Sequence, residues 1–164
     1  MNDADDRRPS RGQRQAPRNE PSLRERALKL LAAREHSRLE LRRKLAPHAE
    51  STGQLEALLD ELSSKRQQSD ERFAELRSRV LSRKYGSARI AHDLRARGVG
   101  DEVIAAAVGE AKSTELARAK EAWRKRFGAK PANALEKAKQ MRFLQSRGFS
   151  FDTIRAVIGG IEDA

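Results

Sequence analysis

Leu94-Arg95-Ala96-Arg97-Gly98-Val99 and Leu144-Gln145-Ser146-Arg147-Gly148-Phe149 are two versions of one phrase, 50 residues apart in a chain of 164. The first runs on to Ile104 and Val108, the second to Ile154 and Ile158 at identical offsets. An aromatic-glycine step precedes each, Tyr85-Gly86 and Phe127-Gly128. Self-similarity at such a period marks an array of one supersecondary unit. Units of this kind bury apolar faces against their neighbours, so the repeat predicts a continuous core through stacked units and a long surface without a central pocket. That surface suits gripping something large more than turning over something small.

Working outward, almost everything from Pro21 onward reads as helix. Ser22-Leu23-Arg24-Glu25, Ser37-Arg38-Leu39-Glu40 and Ser51-Thr52-Gly53-Gln54 each carry the spacing of a capping box. Behind them the apolar residues recur at helical spacing: Leu23, Ala27, Leu30 and Leu31, then Leu41 and Leu45, then Leu55, Leu58, Leu59 and Leu62. A second set is Phe73, Leu76, Val80, then Ile90, Leu94, then Ile104, Ala107, Val108. A third is Leu116, Ala119, Trp123, Phe127, then Leu135, Ala138, Met141, then Ile154, Val157, Ile158. Nine helices in three triplets follow, with no strand.

The expected fold class is therefore all-α, an elongated tandem array of three three-helix repeats at 21–68, 69–112 and 113–164. A polar tail at 1–20 precedes it, without apolar periodicity and so expected to be disordered. Gly98 and Gly148 stand where a helix end needs a left-handed residue. Ser69, Ser87 and Ser150 are expected N-caps. Gly86 to Gly98 spans 12 residues and Gly128 to Gly148 spans 20, so an insertion around Lys130-Pro131-Ala132-Asn133 lengthens a loop or the helix after it.

Charge repeats with the helices. The formal net charge is +11, from 35 Lys and Arg against 24 Asp and Glu, and the tail supplies only +1 of it. Residues 24–44 carry eight basic and three acidic groups, 72–97 eight and two, and 118–147 ten and two. The third segment of each triplet is acidic: 50–62 has four acidic groups and no basic one, 98–111 three and none, 148–164 three and one. Stacking like helices in register would gather a basic stripe, the electrostatic footprint of an anionic partner such as nucleic acid. Its residues are Arg79, Arg83, Lys84, Arg89, Arg95, Arg97, Arg124, Lys125, Arg126, Lys139, Arg142 and Arg147.

Other chemistry is missing. There is no cysteine, consistent with a reducing cytoplasm, and no apolar run approaches the roughly 20 residues of a membrane span. His36, His48 and His92 lie on separate segments without metal-ligand spacing, and read as surface or capping residues. No glycine-rich phosphate loop follows a strand, and Gly159-Gly160 reads as a helix terminus. Carboxylate pairs such as Asp101 with Glu102 fall at helix starts, where they favour the dipole and stay solvated. The pattern points to no cofactor, no metal and no enzymatic activity. Phe73, Trp123, Phe127 and Phe149 fall on apolar faces or junctions, so any nucleic-acid contact would be phosphate pairing in place of base stacking.

Tyr85-Gly86 with Arg89-Ile90, Leu94 and Arg97-Gly98-Val99, followed by Gln140-Met141-Arg142-Phe143-Leu144-Gln145-Ser146-Arg147-Gly148-Phe149, resembles the bacterial regulatory protein family RecX. Arg34-Glu35-His36-Ser37 running into Glu40-Leu41-Arg42-Arg43-Lys44-Leu45, and Asp70-Glu71-Arg72-Phe73-Ala74, carry the same resemblance, which covers about residues 23–160. End-to-end stacking of the triplets leads us to expect a monomer, and the resemblance implies a modulator of the RecA recombinase that lies in the groove of the RecA filament on single-stranded DNA. There it would restrain assembly, strand exchange, ATP hydrolysis and LexA cleavage. The chain departs from the pattern at Arg66-Gln67-Gln68, where a glycine and apolar residues are frequent, at Ala46-Pro47-His48-Ala49, and at Ser87 in place of a proline. A stand-alone helix-turn-helix DNA reader and a structural repeat adaptor for an acidic protein are the competing expectations, and the first meets acidic residues where its third helices begin.

Overall fold

Ser22 and Ser37 each close a full capping box, with Glu25 and Glu40 returning the bond to the cap amide. They open α1 (Leu23–Ala33) and α2 (Arg38–Leu45). Ser51 opens α3 (Thr52–Ser64) by accepting from the Gln54 amide, but its box is shifted: the Gln54 side chain takes the amide of Glu50, 2.7 Å away. The structure, a computed structural model, describes residues 19–163. The tail expectation over 1–20 falls outside these except at Asn19 and Glu20, which are exposed and precede the first helix.

Six more helices follow, with no strand among the described residues: α4 (Asp70–Leu81), α5 (Ser87–Ala96), α6 (Asp101–Ser113), α7 (Glu115–Arg126), α8 (Ala134–Ser146) and α9 (Phe151–Glu162). Gly98 and Gly148 take φ of +80° and +81°, ending α5 and α8 as the repeated phrase requires. The insertion enlarges both parts, since a longer connection precedes α8 and α8 has 13 residues against 10 in α5. At Ala46-Pro47-His48 the second helix of the first triplet tightens into one 3₁₀ turn. Ser69 and Ser150 cap α4 and α9. Ser87 does not cap: Gly86 holds that position and Ser87 is the first residue of α5. Helix α9 runs through Gly159 and Gly160 to Glu162.

The core is not continuous. Three separate clusters form, each inside one triplet: Leu23, Ala27, Leu41, Leu45, Leu55, Leu58, Leu59 and Leu62 in the first, Phe73 to Ala111 in the second, Ala119 to Ile158 in the third. What meets between triplets is helix ends, whose orphan amides and carbonyls need partners, and so the joints are polar. At the first joint Ser37 Oγ donates to the Arg97 carbonyl at 2.7 Å and the Arg38 amide to Asp70 at 2.8 Å. Arg72 pairs with Glu35 at 2.9 Å. At the second joint the Gly86 amide donates to the Arg147 carbonyl at 2.8 Å. Gly86 is buried so closely against Gly148 and Phe149 that a Cβ there would strike their backbone.

Four residues assigned to apolar faces are instead exposed: Leu76, Val80, Leu116 and Leu135. The buried faces run instead through Phe73, Ala74 and Ser78 on α4, Glu115 and Ala119 on α7, and Gln140 and Leu144 on α8, which turns these four side chains outward. His36, expected as a surface or capping residue, is fully buried at the first joint, beside the Arg34 that ends α1. Its Nδ1 lies 3.0 Å from the Arg34 carbonyl and its Nε2 3.2 Å from Lys44 Nζ, so the ring sits neutral and donates through Nδ1. Burial is the main force lowering its pKa below the ordinary histidine value.

A cationic groove between the second and third triplets

Glu115, the first residue of α7, sets the geometry of the second joint. Its buried carboxylate accepts from the Ser87 amide at 2.9 Å and the Ser87 hydroxyl at 2.7 Å on one oxygen. The Ser150 and Thr153 hydroxyls reach the other at 2.9 and 2.6 Å. Burial alone would raise its pKa, but these hydrogen bonds outweigh it and hold the carboxyl ionised below its ordinary value. One charge thereby ties the starts of α5 and α9, where helix dipoles favour it, to the start of α7.

One turn on, Arg118 is used the same way. Its guanidinium donates to the carbonyls of Ser82 at 2.8 Å, Tyr85 at 2.6 Å and Ala111 at 2.7 Å, closing the ends of α4 and α6 against α7. Burial lowers its pKa, opposed by Glu115 nearby. Nothing in the sequence singles out Arg118, because its partners are backbone atoms brought in from elsewhere in the chain.

These ties leave a groove of about 610 Å³ between the loop after α4 and the ends of α7 and α8. Arg83, Lys84, Lys125, Arg126 and Arg147 line it, over a floor of Ala122, Phe143 and Phe149. Glu121, its one acidic lining residue, faces Arg124 and Lys125 of its own helix. Phe143 meets Phe127 edge to face at 5.3 Å and carries the Arg147 guanidinium 5.1 Å above its ring. Phe149 is buried, with Arg118 6.0 Å from its ring centre.

Five of the twelve stripe residues therefore converge. The other seven do not line the groove. Arg79 pairs with Glu75 on α4, and Arg95 lies 3.6 Å from Asp101. Arg97 is engaged by Asp93 at 3.1 Å and Glu40 at 3.6 Å, within the first joint. Arg89 stacks on Tyr85 at 4.0 Å and donates to the Ser146 carbonyl at 2.9 Å, within the second joint. Arg124 pairs with Glu121. Lys139 and Arg142 are exposed on α8. No cluster of three or more metal-ligating side chains occurs among the described residues, and no helix among them is long and apolar enough to cross a membrane.

A helical array whose triplets meet at polar joints and whose surface gathers cations in an open groove belongs to the class of helical-repeat proteins. Residues 69–108 match the family model described as RecX, second three-helix domain, and residues 113–158 match RecX, third three-helix domain. The chain is 44% identical over 147 residues to a protein of Ralstonia pickettii named Regulatory protein RecX, covering 90% of this chain and 92% of that one. It is 48% identical over 142 residues to the protein of that name from Chromobacterium violaceum, covering 87% and 92%. The crystal structure of RecX from Lactobacillus salivarius shares the fold with a TM-score of 0.72 at 19% identity, over 87% of this chain and 96% of that one. The chain belongs to the RecX family.

Proposed function

We propose that this protein binds the RecA filament on single-stranded DNA in the cytoplasm and restrains its assembly, ATPase, and recombinase and coprotease activities, with the groove between its second and third triplets as the main contact. The observation that carries the reading is the convergence of Arg83, Lys84, Lys125, Arg126 and Arg147 on one concave surface. An anionic partner is drawn there by long-range attraction and held by charge pairing. Family membership supplies the regulatory role. The reading as a stand-alone helix-turn-helix DNA binder has less support, because α6 and α9 carry exposed Asp101, Glu102 and Asp152 in their first turns, which phosphates repel.

The deciding measurement is RecA ATPase on single-stranded DNA at substoichiometric amounts of this protein. The parent chain inhibits, and the folded triple variant Arg83→Glu, Lys125→Glu, Arg126→Glu loses most of that inhibition. The matched variant Arg79→Glu, Arg95→Glu, Arg124→Glu, outside the groove, keeps most of it. Equal inhibition by parent and groove variant would move the contact elsewhere.

A further inference from the structure

Charge alone does not say whether the groove holds phosphate or carboxylate. Its floor does. Base-stacking sites present open ring faces, but here Arg147 lies over Phe143 and Arg118 beside Phe149, with Phe149 itself buried. A nucleic-acid strand could use the cations only, and would leave Ala122 and Phe143, both half-buried in the lining, without an apolar partner. An acidic polypeptide carrying an aliphatic side chain uses both parts: carboxylates meet Arg83, Lys84, Lys125 and Arg126, and the aliphatic group drops between them. Arg147 is already committed to the Lys84 carbonyl at 3.3 Å and acts as wall more than as clamp.

We infer that the groove is a docking site for an acidic protein segment with one apolar anchor residue, and that nucleic acid is not its occupant. This rests on the reading that the groove is the contact with the filament. The recognised surface of the partner would then be protein, a run of Asp or Glu around a leucine-like side chain. Charge complementarity sets the approach and the anchor sets selectivity, since burying one aliphatic side chain alters affinity by about tenfold or more.

The test uses the full chain and two fluorescent peptides, both rich in Asp and Glu, one with a central leucine and one with serine in its place. Anisotropy titrations are run alongside fluorescent oligothymidylate. The leucine peptide is expected to bind about tenfold more tightly than the serine peptide, and excess oligothymidylate should not displace it. Ala122→Gln, which puts a long polar group on the floor without changing charge, should abolish the leucine advantage and RecA inhibition together while leaving oligothymidylate affinity unchanged. Equal binding of the two peptides, or their displacement by oligothymidylate, overturns the inference whether or not the variant folds. Inhibition kept by Ala122→Gln but lost on groove charge reversal also overturns it and leaves the groove a phosphate site within the same function. Inhibition kept by both variants removes the groove from the function as well. Self-association of the free protein, abolished by groove charge reversal, would assign the groove to a second copy and likewise overturn it.

Discussion

The Glu115 carboxylate receives the backbone amide of Ser87, the first residue of α5, at 2.9 Å across 28 positions of sequence. Asp70 receives the amide of Arg38, the first residue of α2, at 2.8 Å across 32 positions. In both cases the first residue of a triplet's first helix caps the second helix of the triplet before it. The carbonyl of the arginine in the Arg-Gly step completes each joint, with Arg97 accepting from Ser37 and Arg147 from Gly86. The repeated phrase is therefore a docking element as well as a helix end. If so, Glu115→Ala, which strands four donors in a buried joint, should cost about 3 kcal/mol. Asp70→Ala, at a more open site, should cost about 1 kcal/mol. Urea denaturation of both variants measures this, and a neutral Glu115→Ala would mean the joint contributes no stability.

Glycine positions separate docking from simple helix geometry. Gly86 has an ordinary φ of −80°, but a Cβ there strikes the Gly148 backbone. Gly109, inside α6, has nothing within 4 Å of the same added atom. Gly86→Ala should therefore lower stability by about 2 kcal/mol or more through a forced shift of the joint. Gly109→Ala should raise it by about 0.5–1 kcal/mol, since an exposed helix interior gains from the lost chain entropy. Thermal melting of the two alanine variants distinguishes them by sign.

Arg66 closes α3 with φ of +56°, the one non-glycine residue in the left-handed region among those described. The amides of Gln67 and Gln68 both reach the Leu62 carbonyl, so the turn is a helix stop of the type that glycine usually makes. Arg66→Gly should stabilise the fold by about 1 kcal/mol through relief of the Cβ clash. A drop in melting temperature would show that the exposed side chain has an unrecognised partner.

The helices and their cores were legible because amphipathic spacing and capping residues are local signals. Leu41, Leu45, Leu59, Ile90, Leu94 and Ile158 all fall where periodicity puts them, at 2% exposure or less. The joints were not legible. Ser87 looks like an N-cap by residue type, and its real partner, Glu115, looks like an ordinary acidic residue at a helix start. The continuous core was the natural expectation for an array, and it failed because helix ends rather than apolar faces meet between triplets. In the same way the twelve cations share a sign but not a surface. Ion pairing to Asp93, Glu40 and Glu121 and hydrogen bonding to backbone carbonyls withdraw several of them, which no count of charges along the chain reveals.

Stability should decline over two pH ranges as the solution is acidified. His36 has its pKa lowered chiefly by burial, so the unfolded chain takes up its proton first as pH falls below about 6.5. The stability from the neutral, buried ring is full above that pH and declines below it until the folded pKa is reached. The carboxylates come next. Glu56, held by Arg42 and Arg38, and Glu61, held by Arg24 and Lys65, are both lowered to about 2. Asp93 is lowered by Arg77. Their contribution is present above the ordinary carboxylate range and is lost as pH falls through it toward their depressed values. Urea midpoints measured from pH 7 downward should show a shallow decline beginning near 6.5 and a steeper one beginning near 4.5. His36→Gln should remove the shallow step and leave the steep one. An unchanged upper step in that variant would show that another group carries it.

Arg118 offers the sharpest separation of scaffold from binding surface. It lines the groove, yet its guanidinium is spent on the Ser82, Tyr85 and Ala111 carbonyls and on Thr114 Oγ1 at 3.1 Å. A lysine keeps the charge but cannot span those acceptors, since its donors radiate from one nitrogen where arginine spreads five over a planar fork. Arg118→Lys should therefore cost about 2 kcal/mol in stability and loosen the loop holding Arg83 and Lys84. Lys125→Arg, on the rim, should leave both stability and RecA inhibition near the parent values. Urea denaturation and ATPase inhibition run on the same two samples check the pair. Parent-like stability in Arg118→Lys would show that the second joint does not depend on the guanidinium, and that the groove is held open by Glu115 and the Gly86 contact alone.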